Sequence, residues 1–188
     1  MQTTIYARLS AMMFLQFFTW GAWFVTLGTY LNALGFSGGD IGFAYLTNNI
    51  GAILAPFFVG MVADRFFAAE RVAGMMHLAG AAVLWQVSGL GGVDEVLLGL
   101  LVYNACYMST LGVVNGIAFA QMRDPDSQFP RVRVWGTIGW IVAGLAITFL
   151  LAPRVPQVEA TRVPMQMAAL CSLLLGLYCF TLPHTPPA

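Results

Sequence analysis

Long uncharged stretches fill almost the whole of this chain, and every charged side chain lies outside them. Six runs contain no Asp, Glu, Lys or Arg: 9–39, 41–63, 72–93, 96–122, 134–153 and 163–188. Each run supplies the roughly 20 apolar residues that a helix needs to cross the hydrocarbon core of a bilayer. Because backbone amides cannot stay unpaired in lipid, such runs predict helices. The pattern therefore predicts an all-α transmembrane protein with one domain over residues 1–188.

The boundaries of the runs predict a six-helix bundle. We expect helices at about 9–34, 40–63, 71–90, 95–119, 134–152 and 163–182. The longest connection, 120–133, is polar and contains two prolines, and it separates three helices from three. This division suits the 3+3 inverted repeats of one transporter half. Thr26-Leu27-Gly28 in the first helix recurs as Thr110-Leu111-Gly112 in the fourth, although a tripeptide is short enough to recur by chance.

Composition excludes several other classes of protein. Charged residues make up 9% of the chain, against roughly 25% in ordinary globular proteins, which argues against a soluble core. The net charge is zero, so there is no basic field to attract nucleic acid. Cys106, Cys171 and Cys179 lie in apolar runs, which favours small core residues over a disulfide set or metal site. The sequence contains no pattern typical of an enzyme active site, a phosphate loop or a bound cofactor.

Arginine positions predict the orientation in the membrane. If the N-terminus is cytoplasmic, that side holds six arginines: Arg8, Arg65, Arg71, Arg123, Arg131 and Arg133. The opposite side then holds only Arg154 and Arg162. This bias satisfies the positive-inside rule. An even number of spans returns the C-terminus to the cytoplasm, so we expect both termini there.

The first helix carries aromatic and polar side chains on one predicted face. Gln16, Trp20, Trp23 and Tyr30 fall at i, i+4, i+7 and i+14. Polar groups at membrane depth are costly unless they are paired or face water, and aromatic faces can stack on a planar ring. One interpretation is a substrate site. The other is an aromatic packing face whose Gln16 bonds to a neighbouring helix, and the sequence leaves both open.

A second candidate stripe opens the fifth helix. Arg133, Thr137 and Trp140 lie at i, i+4 and i+7 and share a face. They offer a cation, a hydroxyl and an aromatic plane in order along one side of the helix. The alternative is that Arg133 only extends to the cytoplasmic interface.

The connection after the second helix contains Gly60, Asp64 and Arg65. Gly allows close helix approach, and Asp64 can receive a cation or lie at the next helix N-terminus. These residues predict either a charge latch that breaks during gating or a short loop with solvated charges. The stretch resembles the loop signature of the major facilitator superfamily, although Phe67 stands where that pattern usually has a second Gly.

Two histidines are weaker signals. His77 in the third helix could carry a proton, but a lone histidine is more often a hydrogen-bonded core group. His184 follows Pro183 at a helix end and is expected at the membrane interface.

Four segments, in this order, resemble those of the nucleoside:proton symporter family, a branch of the major facilitator superfamily. They are Phe14–Tyr30, Tyr107–Gly112, Arg133–Gly139 and Thr181–His184. The resemblance covers essentially the whole chain. It implies twelve helices in two halves with substrate bound between the halves near the membrane midplane. This chain would then be the N-terminal half of a protein of the bacterial inner membrane.

The resemblance implies inward transport of nucleosides with protons by alternating access. Arg133 and Thr137 would bind polar groups of the substrate or a carboxylate of the second half, while Trp140 and one helix-one aromatic would stack on the base. No acidic residue lies inside the six runs, so the proton-coupling carboxylate is expected in that second half. Two alternatives remain: a facilitator half for another polar solute such as a sugar, and a six-helix sensor or assembly protein that does not transport.

Overall fold

The computed structural model describes residues 2–55, 57 and 66–187, which form helices joined by turns. In chain order the α-helices are α1 (Thr3–Phe24), α2 (Leu27–Ala33), α3 (Gly38–Ala55), α4 (Ala69–Val87), α5 (Val93–Ala120), α6 (Pro125–Leu145) and α7 (Val163–Cys179). A π-helical segment, Ala146–Leu151, continues α6, and a short 3-10 turn, Val158–Ala160, precedes α7. Among these residues, three stretches are long and apolar enough to cross a membrane: Thr3–Ala33, Val93–Ala120 and Pro125–Leu151.

The first predicted helix is interrupted between α1 and α2. Thr26 Oγ1 donates to the carbonyl oxygen of Trp23 at 3.1 Å. The Tyr45 hydroxyl of α3 donates to the Phe24 carbonyl oxygen at 3.2 Å and accepts from the Gly28 amide at 3.0 Å. Because helix ends leave backbone groups without intrahelical partners, these bonds satisfy groups that the interruption exposes.

The fifth helix begins earlier than predicted. The sequence pattern places its start at about 134, but α6 begins at Pro125, so most of the predicted 120–133 connection is helical. Proline suits the first position of a helix, since its φ is already helical and its missing N–H would have no partner there. Ser127 Oγ donates to Asp124 Oδ2 at 2.5 Å, which ties the first turn of the helix to the residue before it. Pro130 lies in the second turn, where only one backbone hydrogen bond is lost.

The described helices pack in five main pairs. α1 packs against α6 and α7, α5 packs against α3 and α4, and α4 packs against α7. Glycines allow two of these pairs to approach closely, as is common between membrane helices. A Cβ at Gly51 of α3 would lie 2.8 Å from the carbonyl carbon of Asn104 in α5, and one at Gly139 of α6 would overlap the carbonyl oxygen of Phe14 in α1.

The surface of the bundle carries many large apolar side chains. Leu98, Phe149 and Leu174 are each at least 60% exposed. In contrast, Trp23, Tyr103 and other large side chains are fully buried between the helices. An apolar perimeter around a packed interior is what a helical protein needs when hydrocarbon surrounds it.

Candidate functional site

The two predicted stripes meet where α1 packs against α6. The guanidinium carbon of Arg133 lies 3.9 Å from the ring centroid of Phe17, which is a cation–π contact. Trp140, two helical turns along α6, meets Trp20 of α1 edge to face, with ring centroids 5.4 Å apart and an interplanar angle of 83°. Arg133 and Trp140 therefore both contact α1: Arg133 reaches Phe17, and Trp140 reaches Trp20, which is one of the predicted helix-one residues.

Further rings extend this contact. Phe24 lies 5.7 Å from Trp20 and 6.4 Å from Trp140, measured between ring centroids, and Tyr45 of α3 lies 5.1 Å from Phe24. We call the resulting set of partly exposed rings the aromatic surface; it consists of Phe17, Trp20, Phe24, Tyr45 and Trp140. Because each ring keeps part of its area uncovered, the surface offers planar apolar contacts to a ligand.

Sequence reasoning missed Phe17, Phe24 and Tyr45 as members of this surface. The available signal for Phe17 and Phe24 was their spacing, since they lie three residues before and four residues after Trp20. Such spacings place side chains on one side of a helix.

Arg133 is half-buried, and Thr137, one turn further on, is exposed on the same side of α6. Within the described residues the only contact between a carboxylate and a basic side chain joins Glu70 and His184, at 2.8 Å, so Arg133 has no carboxylate partner there. An arginine that is stacked on a ring keeps the donors at the edge of its guanidinium group for a polar partner.

Trp23 and Tyr30 lie in the core. Trp23 is 1% exposed and packs edge to face against Tyr103, with ring centroids 5.3 Å apart. Tyr30 belongs to α2, beyond the interruption, and its hydroxyl donates to the Ser88 carbonyl oxygen at 3.2 Å. The structure therefore does not bring these two side chains to the aromatic surface, and their contact with substrate stays a prediction.

Gln16 is fully buried, and its amide is hydrogen-bonded within the chain. Its Nε2 donates to Thr110 Oγ1 at 2.8 Å, and its Oε1 lies 2.8 Å from His77 Nε2. The Tyr107 hydroxyl donates to the backbone carbonyl oxygen of Gln16 at 2.5 Å. This arrangement matches the interpretation in which Gln16 bonds to neighbouring helices. Direct binding of substrate by Gln16 stays a prediction.

The predicted gating residues Gly60, Asp64 and Arg65 lie outside the described residues, and the charge latch stays a prediction.

Known proteins resemble this chain over nearly its full length. The family model described as nucleoside H+ symporter matches residues 1–188. The chain is 44% identical to the candidate nucleoside transporter YegT of Escherichia coli (strain K12), over 100% of this chain and 44% of that protein. It is 36% identical to the xanthosine permease of the same organism, over 98% of this chain and 44% of the permease. The chain thus spans less than half the length of these curated relatives.

A solved structure matches the fold. The crystal structure of the nucleoside transporter NupG superimposes with a TM-score of 0.88 at 33% sequence identity, covering 97% of this chain and 45% of NupG. A structure of a single-residue variant of NupG gives a TM-score of 0.90 at 34% identity. The described helices are therefore arranged as in part of a multi-pass membrane transporter. From the full-length match to the family model, this chain belongs to the nucleoside H+ symporter family.

Proposed function

We propose that this chain forms the N-terminal half of a transporter that moves nucleosides inward together with protons by alternating access. The observation that carries the proposal is the pairing of Arg133 on Phe17 with Trp140 on Trp20, which sets a cation beside partly exposed rings. A nucleoside combines a planar base with polar carbonyl, amine and hydroxyl groups, so it needs both kinds of contact. Membership of the nucleoside H+ symporter family supports the same substrate class.

In this proposal Arg133 and Thr137 bind polar groups of the substrate or a carboxylate of the second half. Trp140 and Trp20 contact the base, and stacking of a base on an aromatic side chain is worth about 1–3 kcal/mol in nucleic-acid systems. The second half supplies the opposing wall of the cavity and the proton-coupling carboxylate. The protein lies in the bacterial inner membrane with both termini in the cytoplasm, in agreement with its arginine bias.

We further propose that the chain has six spans arranged as 3+3 inverted repeats. If α1 and α2 together are counted as the first span, the six spans are α1–α2, α3, α4, α5, α6 and α7. The helix pairs support the repeat, because they map onto one another when the first three spans are exchanged with the last three. Under this exchange α1 with α6 becomes α5 with α3, α1 with α7 becomes α5 with α4, and α4 with α7 maps onto itself. Inverted repeats of this kind place the substrate site at the interface between units near the membrane midplane.

The direct test uses residues 1–188 fused to the second half of YegT, purified and reconstituted in liposomes with an inward proton gradient. We expect saturable uptake of radiolabelled nucleoside that excess unlabelled nucleoside abolishes and excess sugar does not.

Arg133→Lys should weaken nucleoside binding, since lysine keeps the charge but loses the planar set of donors. A charge-assisted hydrogen bond contributes about 1.5–3 kcal/mol, which corresponds to roughly tenfold to hundredfold in affinity.

Arg131→Lys is the matched control. Arg131 lies two residues away and is exposed, so this variant should bind nucleoside almost normally. Equal binding by the two variants would mean that Arg133 only reaches the interface. Uptake of sugar in place of nucleoside would favour the alternative that this chain is half of a facilitator for another polar solute. A fusion that folds but takes up neither solute would contradict transport by this half.

A further inference from the structure

A buried hydrogen-bonded cluster, which we call the His77 network, joins four helices beneath the aromatic surface. It consists of Gln16 on α1, His77 on α4, Tyr107 and Thr110 on α5, and Ser172 on α7. All five side chains are at most 1% exposed. His77 Nε2 lies 2.8 Å from Gln16 Oε1, and His77 Nδ1 lies 3.3 Å from Ser172 Oγ. The network therefore connects helices that the bilayer would not by itself hold in one register, because lipid provides no hydrophobic force between them.

The contacts assign the proton on His77. The Thr110 hydroxyl donates to the Tyr107 carbonyl oxygen at 2.6 Å, so Thr110 Oγ1 accepts from Gln16 Nε2. This leaves Gln16 Oε1, which is only an acceptor, facing the imidazole. His77 Nε2 must then carry a proton and donate it to Gln16. The Ser172 hydroxyl donates its single proton to the His77 carbonyl oxygen at 3.0 Å or shares it with Nδ1, the unprotonated ring nitrogen, at 3.3 Å.

The network fixes the rotation of α1. Gln16 precedes Phe17 and lies one turn before Trp20, so the direction of its side chain sets the directions of both rings. Tyr107 acts on the same turn, because its hydroxyl bonds to the Gln16 carbonyl oxygen and its ring lies 6.0 Å from Trp20. The His77 ring in turn packs edge-on against Tyr107, with centroids 5.9 Å apart.

We propose that His77 is a positioning residue: its Nε2–H holds Gln16 so that α1 presents Phe17 and Trp20 to Arg133 and Trp140. Among the residues that the structure describes, the polar and aromatic groups on the imidazole are Gln16 from α1, Tyr107 from α5 and Ser172 from α7, all of them uncharged at neutral pH. A protonated ring would lack a counter-charge there, so His77 acts as a neutral donor and does not carry the transported proton. This inference rests on the proposed function for its link to nucleoside binding.

Two substitutions separate the two ring nitrogens. In His77→Gln the longer amide can bring its nitrogen to the place of Nε2 and keep a donor for Gln16, whereas in His77→Asn the amide nitrogen reaches only the place of Nδ1. In the YegT fusion we expect His77→Gln to keep the nucleoside KM within about twofold and His77→Asn to raise it about tenfold, equivalent to about 1.4 kcal/mol. The maximal rate should change less than KM, and the pH profile of uptake by His77→Gln should match that of the unsubstituted fusion.

Equal KM values for the two variants would overturn the role of the Nε2 donor. A flattened pH profile in His77→Gln would show instead that His77 carries the proton. A second measurement does not depend on transport: the melting temperatures of residues 1–188 with His77→Asn, Gln16→Leu and both changes together. Because the two side chains bond to each other, the double variant should lose less stability than the sum of the single losses. Additive losses of melting temperature would refute the network even if the fusion transports nucleosides. If the unsubstituted fusion fails to transport, the proposed function is refuted, and the melting temperatures of the single and double variants still test the network.

Discussion

The closest approach of α1 and α6 gives the sharpest test of how these helices hold the aromatic surface. A methyl group at Gly139 would overlap the carbonyl oxygen of Phe14 and would also lie 3.0 Å from its carbonyl carbon and 3.1 Å from its Cα. All three atoms are backbone, so no side-chain rotation can make room. Gly139→Ala must therefore push the two helices apart or shift one along the other.

The cost follows from this geometry. Introducing extra atoms into a well-packed interior typically costs about 1–3 kcal/mol, which corresponds to a loss of roughly 2–12 °C in melting temperature for a domain of this size. Separation of the helices would also weaken the contact of Arg133 with Phe17 and that of Trp140 with Trp20. The stability loss should therefore be accompanied by weaker nucleoside binding in the YegT fusion.

The assay is thermal unfolding of purified residues 1–188 in detergent, followed by size-exclusion chromatography with fluorescence detection. Gly144→Ala is the matched control, because it lies in the same helix and nothing lies within 4 Å of the added methyl group. This control should keep or slightly raise the melting temperature, since alanine favours a helix over glycine. Similar melting temperatures for Gly139→Ala and Gly144→Ala would refute the close approach of α1 and α6.

Two further predictions concern the side of the protein that is proposed to face the cytoplasm. In a cysteine-free background, a single cysteine at Ser127 should react in intact cells only with a membrane-permeant reagent, and reaction with an impermeant reagent would reverse the proposed orientation. Glu70, which precedes the charge-free run of α4, is 5% exposed. Burial acts to raise the pKa of its carboxyl group. Hydrogen bonds from His184 and the Thr185 amide outweigh burial and bring this pKa below its ordinary value. A carboxyl group with a lowered pKa stabilises the folded state at a pH above its ordinary pKa of about 4.3, and this stability is lost as the pH falls through the folded-state pKa. Acid should therefore lower the melting temperature of the unsubstituted chain more than that of Glu70→Gln. Equal acid sensitivity of the two proteins would contradict the role of this carboxylate.

The positions of the charges predicted where several of the described helices begin. α4, α5 and α7 begin within about two residues of their predicted starts, because Glu70, Asp94 and Arg162 flank long apolar runs. The start of α6 was wrong for a physical reason. Prolines and charges at 123–133 are typical of a loop, but Pro125 is also favourable at the first position of a helix, and a polar first turn is stable where it projects beyond the hydrocarbon core.

The candidate site was predictable in part. Spacing along one helix identified Arg133, Thr137 and Trp140 as neighbours, and periodicity is sufficient for that inference. Periodicity does not say which neighbouring helix a face meets. Phe17 contacts Arg133 because α1 and α6 approach closely at Gly136 and Gly139, and Gln16 turns toward His77 and Thr110 because α4 and α5 provide its partners. These contacts depend on tertiary packing, which a one-dimensional pattern does not contain.

Tyr45 connects the interruption between α1 and α2 to the aromatic surface. The Tyr45 hydroxyl bridges the Phe24 carbonyl oxygen and the Gly28 amide across the interruption, while the Tyr45 ring packs edge to face against Phe24. Phe24 in turn lies against Trp20 and Trp140. A change in the angle between α1 and α2 would break the bonds of Tyr45 or move its ring, and either event would displace the rings proposed to hold the base. The interruption and the aromatic surface therefore form one mechanical unit, in which the Tyr45 side chain of α3 contacts both.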